Sequence, residues 1–167
     1  MAEHEQVTEV RALRPDDWKV WRDLRLAALE TDAQAFRAPV ADVRAMREDE
    51  SHWRERLQLV GSHNLAAFRN GEPAGMVSAV LEEADRVHLF SMWVVPDLRG
   101  TGLADLLVGD ALRWARATGA REVTLDVDED NARAQAVYTR HGFGRGGTSP
   151  HSNCVRMRLV LGDSADG

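Results

Sequence analysis

The spacing of apolar residues along the chain switches between about 3.6 residues, typical of helices, and two, typical of strands. A strand is predicted from Val7 to Leu13. Arg14-Pro15-Asp16-Asp17 then favours a helix start, because proline and acidic residues suit a first turn. The apolar residues at helical spacing after it are Trp18, Trp21, Leu24 and Ala28. A second, shorter helix is predicted further on, with Asp49 or Ser51 as its cap and Trp53 and Leu57 as its apolar residues.

Three apolar runs in the middle of the chain predict an antiparallel meander. The runs are residues 65–68, 76–81 and 87–95. Asn70-Gly71 separates the first two and indicates a tight hairpin, because such a turn needs positive φ angles. The acidic segment Glu82-Glu83-Ala84-Asp85 separates the second and third runs. Pro96 ends the last run, since proline donates no hydrogen bond to a strand ladder.

The second half of the chain predicts a helix, a strand, a short helix and two strands. The long helix runs from Leu103 to Thr118 and stops at Gly119. Its apolar stripe is Leu103, Leu107, Ala111, Trp114 and Ala115. The strand after it is predicted from the alternating Val123, Leu125 and Val127. A short helix is predicted to begin near Asn131, with Asp130 as its cap, and to end before Gly142. Two final strands are predicted from Phe143 and from the alternating Val155, Met157, Leu159 and Leu161. The predicted fold class is α/β, with a mixed, largely antiparallel sheet of about seven strands flanked by about four helices.

Composition restricts the classes of protein. The 167 residues suit one compact domain over the whole chain. The single cysteine, Cys154, excludes an internal disulfide, and the histidine spacing demands no metal. No membrane span or signal peptide is recognisable, so a cytoplasmic protein is expected. The net charge of −6 argues against nucleic acid as a partner and suits a cationic one, such as a protonated amine.

The segment from Pro96 to Ala104 joins a predicted strand to a predicted helix. Unpaired amides in the first turn of a helix attract an anion, together with the helix dipole. Gly100 and Gly102 let the backbone approach a phosphate closely, and Arg99 adds positive charge. This geometry suits a pyrophosphate. The alternative is a glycine-rich turn that only links the strand to the helix.

Two common nucleotide-binding motifs do not fit this segment. A P-loop requires Gly-Lys followed by Ser or Thr, and no lysine lies nearby. A dinucleotide fingerprint requires a third glycine at the position of Asp105, where a carboxylate would repel the anion. The sequence therefore disfavours a nucleotide-binding domain.

Asn131, Ala134 and Tyr138 share one face of the predicted short helix. An amide, a small side chain and a phenol on that face suit a groove beside a thioester. The alternative is that Asn131 belongs to an N-cap and that Tyr138 packs in the core with its hydroxyl satisfied. For either residue alone, this alternative is the better explanation.

Two motifs in order give the chain a resemblance to the GNAT superfamily of N-acetyltransferases, strongest between Leu89 and Phe143. The first motif is Arg/Gln-x-x-Gly-x-Gly/Ala, met by Arg99, Gly102 and Ala104. The second is Asn-x-x-Ala-x-x-x-Tyr-x-x-x-Gly-Phe, met by Asn131, Ala134, Tyr138, Gly142 and Phe143. The resemblance implies a splayed sheet that holds acetyl-coenzyme A between two strands, and direct transfer of the acetyl group to an amine.

The resemblance also implies roles for single residues. Met92, Trp93 and Val94 would offer backbone groups to the pantetheine arm and the thioester carbonyl. The pyrophosphate would bind Arg99, Gly100, Thr101, Gly102, Leu103 and Ala104. Asn131 would bond to the pantetheine or a nearby water, and Tyr138 would protonate the departing thiolate.

The general base is less well defined by the resemblance. Many family members carry a glutamate four residues ahead of the pantetheine-binding triple, where this chain has His88. Histidine suits the role, and period-two alternation would place His88, Phe90 and Met92 on one strand face. A structural or exposed histidine is the alternative. The rival bases are Glu82, Glu83 and Asp126, with His141 and His151 as weaker candidates.

The acceptor amine is barely readable, and a small molecule or a protein would both fit. Aromatic residues that would suit a cationic amine are Trp21, Phe36, Trp53 and Trp93, although core packing explains most tryptophans better. The resemblance implies a homodimer. A catalytically silent acyl-CoA-binding sensor on the same fold is the alternative function, and the presence of both Asn131 and Tyr138 favours the enzyme.

Overall fold

The computed structural model describes residues 7–32, 47–83 and 85–162. Within them lie seven strands and four α-helices, which confirms the predicted fold class. The strands are β1 (Thr8–Ala12), β2 (Ser62–Arg69), β3 (Glu72–Glu83), β4 (Arg86–Val94), β5 (Glu122–Asp128), β6 (Gly144–Arg145) and β7 (Cys154–Val160). The helices are α1 (Trp18–Thr31), α2 (Glu50–Gln58), α3 (Leu103–Ala117) and α4 (Ala132–Arg140). None of these helices is long and apolar enough to cross a lipid bilayer.

The seven strands form one sheet in the order β1-β2-β3-β4-β5-β7-β6. Every neighbouring pair is antiparallel except β4 and β5, which are parallel. Each face of the sheet carries its own apolar core. The core under α3 and α4 includes Leu107, Leu125 and Tyr138, whereas the core under α1 and α2 includes Trp21 and Trp53. Alternation along the strands sends neighbouring side chains into different cores.

Local signals set most element boundaries as predicted. Asp49 caps α2 by accepting a hydrogen bond from the His52 amide at 3.2 Å. Asn70 and Gly71 have φ angles of 52° and 82°, as the tight β2–β3 hairpin requires. Gly119, with φ of 85°, follows the end of α3.

The last elements differ in detail from the prediction. Asn131, not Asp130, caps α4, because the Asn131 side chain accepts from the Ala134 amide at 3.1 Å. The strand predicted around Phe143 contains only Gly144–Arg145, and Phe143 itself is a core residue. Leu161 lies just beyond β7, whose last residue is Val160.

Strand β4 contains the irregularity that shapes the site. Opposite β3, the pair Ser78–Phe90 is followed by Met76–Trp93, so β4 holds one extra residue and forms a β-bulge. Ser91 in this bulge has a φ of 56°, in the left-handed region. The bulge reverses the alternation. The expectation that Met92 shares a face with His88 and Phe90 is therefore wrong, since Met92 packs on the α3 core and Trp93 joins the α1 core.

The parallel strands β4 and β5 separate after a short stretch of pairing. Their register runs from Arg86–Glu122 to Leu89–Leu125 and goes no further, although β4 continues to Val94 and β5 to Asp128. The end of β4 beyond Leu89 therefore has no strand partner on its β5 side. Because Val95 donates its amide to Ala74 on β3 at 2.8 Å, alternation turns the preceding Val94 amide toward the gap.

Candidate functional site

A cleft of about 370 Å³ opens where β4 and β5 separate, a volume typical of small-molecule pockets. Its walls are the end of β4, the loop before α3 and one face of α4. The predicted residues that line it are Met92, Trp93, Val94, Arg99, Gly100, Gly102, Ala104, Asn131, Ala134 and Tyr138. The structure thus brings together ten residues from both sequence motifs and the strand before them.

The start of α3 offers backbone donors to this cleft. The first helical hydrogen bond is donated by Leu106 to the Gly102 carbonyl at 3.1 Å. The amides of Leu103, Ala104 and Asp105 therefore have no acceptor within the helix. Gly102 caps the helix with φ of 93°, a conformation that a residue with a Cβ adopts only under strain.

Two residues of the predicted pyrophosphate set lie outside the cleft lining. Thr101 is exposed, and its amide and hydroxyl both donate to the Leu98 carbonyl, at 3.3 and 2.5 Å. The Leu103 side chain is buried in the α3 core, so only its amide is available to a ligand. The loop thus presents backbone groups rather than these side chains.

Arg99 has an ion-pair partner that sequence reasoning missed. Its Nη2 donates to Asp32 at 2.7 Å, and its Nε donates to the Val94 carbonyl at 3.0 Å. Asp32 also accepts from the Trp93 indole at 2.8 Å. Burial raises the pKa of Asp32, but these two hydrogen bonds outweigh it and lower the pKa below the ordinary value. Arg99 thereby fixes the end of β4, and its charge is shared with Asp32.

Asp105, at the position expected to repel an anion, is neutralised by two residues from the end of α4. Arg140 Nη2 lies 3.0 Å from its Oδ2, and His141 Nε2 lies 3.1 Å from its Oδ1. Burial raises the Asp105 pKa, yet these hydrogen bonds bring it below the ordinary value. Because Arg133 also lines the cleft, three arginines stand against two aspartates there, and the formal charge is +1.

Tyr138 lies in the cleft wall with only 6% of its surface exposed. Its ring packs edge-on against Phe143, with centroids 5.8 Å apart. Burial raises the pKa of Tyr138, so the phenol keeps its proton. The hydroxyl makes no hydrogen bond to any residue that the structure describes. The ring is core packing, but the polar end remains available to a ligand in the cleft.

His88 lies on the opposite face of β4 from the core-packed Leu89. Its Nδ1 is 2.8 Å from the Thr124 hydroxyl, and its Nε2 is 3.7 Å from Asp126 Oδ2. Burial lowers the pKa of His88, although the charges of Glu82 and Asp126 oppose this effect. The imidazole is therefore neutral near pH 7, as a general base must be.

The other predicted bases are each held by a cation or lie elsewhere. Asp126 accepts two hydrogen bonds from Arg156, at 2.7 and 3.0 Å. Glu82 and Glu83 pair with Arg86 at the far end of the β3–β4 hairpin. His151 is exposed in the loop before β7, and His141 binds Asp105. Among these candidates, His88 has the most suitable environment.

The predicted aromatic wall does not form as a unit. Trp21 and Trp53 are buried in the α1 core, which supports the packing explanation. Trp93 belongs to the same core and also lines the cleft. Phe36 lies outside the described residues. Phe90, which was not predicted for this role, is 36% exposed on the face that carries His88.

Comparison with known proteins identifies the family. Residues 19–143 match the acetyltransferase (GNAT) family, which is most of the chain. The chain belongs to this family. An uncharacterised N-acetyltransferase of Mycobacterium bovis is 33% identical to this GNAT chain over 84 residues, 50% of this chain and 54% of that protein. A mycothiol acetyltransferase of Parafrankia sp. is 40% identical over 74 residues, 44% of this chain and 21% of that protein. The GNAT chain spans about half the length, or less, of these curated relatives.

Solved structures share the GNAT fold over nearly the whole chain. YncA from Salmonella typhimurium, solved with its cofactor acetyl-CoA, has a TM-score of 0.77 at 20% identity and covers 96% of this chain and 98% of its own. The PaiA N-acetyltransferase from Thermoplasma acidophilum, in complex with coenzyme A, has a TM-score of 0.71 at 16% identity, with coverages of 92% and 99%. At these identities the likeness is one of fold.

Sequence reasoning missed Asp32, Arg25 and Arg56. Asp32 follows the last turn of α1, where no local pattern distinguishes it from a solvated acid. The two arginines did carry a signal, because Arg25 lies four residues after Trp21 and Arg56 lies three residues after Trp53. This spacing puts both charges on the core-facing side of their helices.

Proposed function

We propose that the protein transfers the acetyl group of acetyl-CoA to an amine by direct attack within a ternary complex. The observation that carries this proposal is the gap between β4 and β5, with free helix amides at one end and the Tyr138 hydroxyl in its wall. The fit to the coenzyme is good, because the cleft combines amide donors for a pyrophosphate with an apolar wall for the pantetheine arm. When bound, acetyl-CoA supplies an activated acetyl thioester.

The cleft residues divide the tasks of coenzyme binding. The amides of Leu103, Ala104 and Asp105 would hold the pyrophosphate, with Gly100 and Gly102 allowing its close approach. The edge of β4 at Met92, Trp93 and Val94 would pair with the pantetheine amides. Asn131 uses its Oδ1 to cap α4, so only its Nδ2 would donate to the ligand.

In the proposed reaction, the amine nitrogen forms a bond to the acetyl carbonyl carbon and the carbon–sulfur bond breaks. The Val94 amide would stabilise the negative charge that develops on the carbonyl oxygen. Tyr138 would give its proton to the departing thiolate. The proton released by the amine would pass to His88, whose charged form is stabilised by Asp126.

A base is needed because most amines are protonated at pH 7. Neutralising an amine with a pKa near 10.4 costs roughly 4–5 kcal/mol at that pH. A neutral imidazole, positioned by Thr124, offsets part of this cost. Proton transfer through a bridging water keeps His88 competent even where the amine does not contact it directly.

Two measurements test the proposal. Acetyl-CoA and CoA should raise the thermal unfolding temperature, whereas ATP and NAD should not. Release of free thiol from acetyl-CoA should then depend on an added amine. Stabilisation by ATP or NAD alone would overturn coenzyme binding, and stabilisation by acetyl-CoA without thiol release across a broad amine panel would favour the acyl-CoA sensor. The homodimer stays a prediction, for which analytical ultracentrifugation is the direct test.

A further inference from the structure

Two arginines reach into the space between α1, α2 and the sheet, on the face that carries His88. Arg25 comes from α1 and Arg56 from α2, and both are half-buried. We name this pair the arginine cluster. Each arginine belongs to the core-facing side of its helix, where a charged side chain is costly unless something compensates its charge.

The charge of the Arg56 guanidinium is stabilised by neutral hydrogen-bond acceptors and aromatic rings. Its Nη2 donates to the Ser78 hydroxyl at 2.9 Å, and its Nη1 lies 3.4 Å from Asn64 Oδ1. The guanidinium also lies 5.7 Å from the centre of the Trp21 ring and 5.1 Å from that of Phe90. No carboxylate in the described part of the chain is within ion-pair distance of Arg56. A guanidinium has five N–H donors, so several remain for a ligand.

Arg25 brings a second positive charge to the same place. Its Nη1 donates to the Ser91 hydroxyl at 3.1 Å, and Ser91 is the residue of the β4 bulge. Burial and the charge of nearby Arg56 lower the pKa of Arg25. Both effects disfavour the charged form of Arg25, whereas a bound anion would favour it.

The arginine cluster adjoins the proposed point of acetyl transfer. Phe90 is the link, because its ring lies next to Arg56 and 6.4 Å from the His88 ring, centre to centre. One small molecule over Phe90 would reach both a cation and the proposed base. Asp126, an acid on this face, is itself bound by Arg156 at 2.7 and 3.0 Å.

We propose that the acceptor is an amino acid or a similar small molecule, whose carboxylate binds Arg25 and Arg56 while its amine faces the gap between β4 and β5. This inference rests on the proposed acetyl transfer and names its substrate class. The partly exposed Phe90 ring would contact the aliphatic or aromatic part of the acceptor. A planar carboxylate suits guanidinium donors, which form paired, charge-assisted hydrogen bonds with it.

Matched acceptor pairs test the carboxylate directly. Thiol release would be measured with α- and ω-amino acids, each compared with its amide, such as phenylalanine with phenylalaninamide and methionine with methioninamide. The amides keep the side chain and replace the carboxylate with a neutral group. Because this change also makes the amine less basic, kcat/KM is compared on the concentration of unprotonated amine. We expect kcat/KM to be at least about tenfold higher for the acids, the ratio that a charge-assisted hydrogen bond produces.

Arg56→Gln should remove this preference, mainly by raising KM for the acids, so that kcat/KM for each acid falls to within about twofold of the value for its amide. Arg116→Gln is the matched control, since Arg116 is exposed on α3 and the substitution changes the net charge equally. Thermal unfolding and acetyl-CoA binding of both variants check that they fold. Binding of each acid and amide to the CoA-bound protein, by calorimetry, gives a readout independent of turnover.

The possible outcomes test the carboxylate site and the proposed acetyl transfer separately. Equal turnover of acids and amides would overturn the arginine cluster as a carboxylate site and leave the acetyl transfer intact. Binding of acids that Arg56→Gln abolishes, without thiol release, would keep the carboxylate site and overturn the transfer. Neither turnover nor binding with any acceptor would overturn both. An acid preference retained in Arg56→Gln would also contradict the site.

Discussion

The cleft between β4 and β5 and the arginine cluster lie on opposite sides of the same strand, and they are built differently. The cleft presents backbone amides, glycines and one phenol, and four of its charged residues form two ion pairs, Arg99 with Asp32 and Arg140 with Asp105. The arginine cluster presents long side chains, and Arg56 has neutral oxygens and aromatic rings for neighbours. The first surface is set by local backbone geometry, whereas the second depends on two helices meeting over the sheet.

This difference indicates what each surface needs from a ligand. In the cleft, the start of α3 offers backbone amides, and most of the charged side chains are already paired. A bound anion there would mainly gain hydrogen bonds from the amides. In the arginine cluster, burial and the charge of Arg56 both lower the pKa of Arg25, and a bound anion would favour its charged form. Substitutions on the two sides should therefore differ in whether they change turnover, coenzyme binding or acceptor choice.

The largest expected effect is on the cleft side, at Tyr138. Tyr138→Phe should lower turnover about 10²- to 10⁴-fold, because a general acid contributes this much, while acetyl-CoA affinity stays nearly the same. Thiol release and calorimetric binding measure the two quantities. Since burial raises the Tyr138 pKa, wild-type activity should show no alkaline loss from this group below its ordinary pKa of 10.0. Wild-type turnover in Tyr138→Phe would exclude it as the acid.

The next effect is at His88, on the acceptor side. His88→Gln should lower kcat about 10²-fold and abolish the acidic limb of the kcat profile, measured at saturating amine. In the wild type this limb should lie below pH 6.5, because burial lowers the His88 pKa and activity falls only as the imidazole gains a proton.

Asp126→Asn tests the assignment of His88 as the general base in a second way. The carboxylate raises the His88 pKa and also offsets the Arg156 charge, which lowers it, so the loss of the carboxylate should lower the His88 pKa on both counts. The acidic limb should therefore move to lower pH in this variant. A limb that stays in place in His88→Gln would assign the base to another group.

Gly75 lies on β3 opposite Val94, where the end of β4 packs closely against α3. A Cβ at Gly75 would lie 2.9 Å from the Trp93 carbonyl oxygen and 3.2 Å from Leu107 Cδ1. Gly75→Ala should lower the free energy of unfolding by about 1–3 kcal/mol and weaken acetyl-CoA binding, because the end of β4 must shift. Gly109→Ala is the control: a Cβ there meets no atom within 4 Å, and the helix should gain up to about 1 kcal/mol. Chemical denaturation gives the free energy of unfolding of both variants, and equal values would contradict the close contact expected for a Cβ at position 75.

The smallest effect is expected at Asp105, which joins the start of α3 to the end of α4. Asp105→Asn should lower the free energy of unfolding by at most about 1 kcal/mol, since the ion pair is partly exposed. The folded-state pKa of Asp105 is below the ordinary 3.8, so its contribution is present above that pH and disappears as pH falls through the lower value. Denaturation at pH 7 and pH 3 measures the difference. A larger loss at pH 3 would contradict the assignment.

Sequence alone determined the order of the elements, the hairpin at Asn70-Gly71 and the loop before α3. These features depend on residues within one or two turns of each other, where periodicity and turn chemistry act directly. For the same reason, both motifs of the cleft could be recognised in the sequence: Gly102 caps α3, and Tyr138 lies on α4, so each is positioned by its own helix. The local errors were small: Asp130 was predicted as the cap in place of the adjacent Asn131, and the strand predicted around Phe143 begins one residue later, at Gly144.

Only the tertiary structure decided which charges meet. Asp32 and Arg99 are 67 residues apart in sequence, and Asp105 and Arg140 are 35 apart, so no local pattern links them. The bulge at Ser91 is likewise a property of the β3–β4 register, and it moved Met92 to the other face. Arg25 and Arg56 become neighbours because two amphipathic helices pack on one face of the sheet. Long-range pairing depends on the global packing of the chain, and spacing along a single sequence carries no record of it.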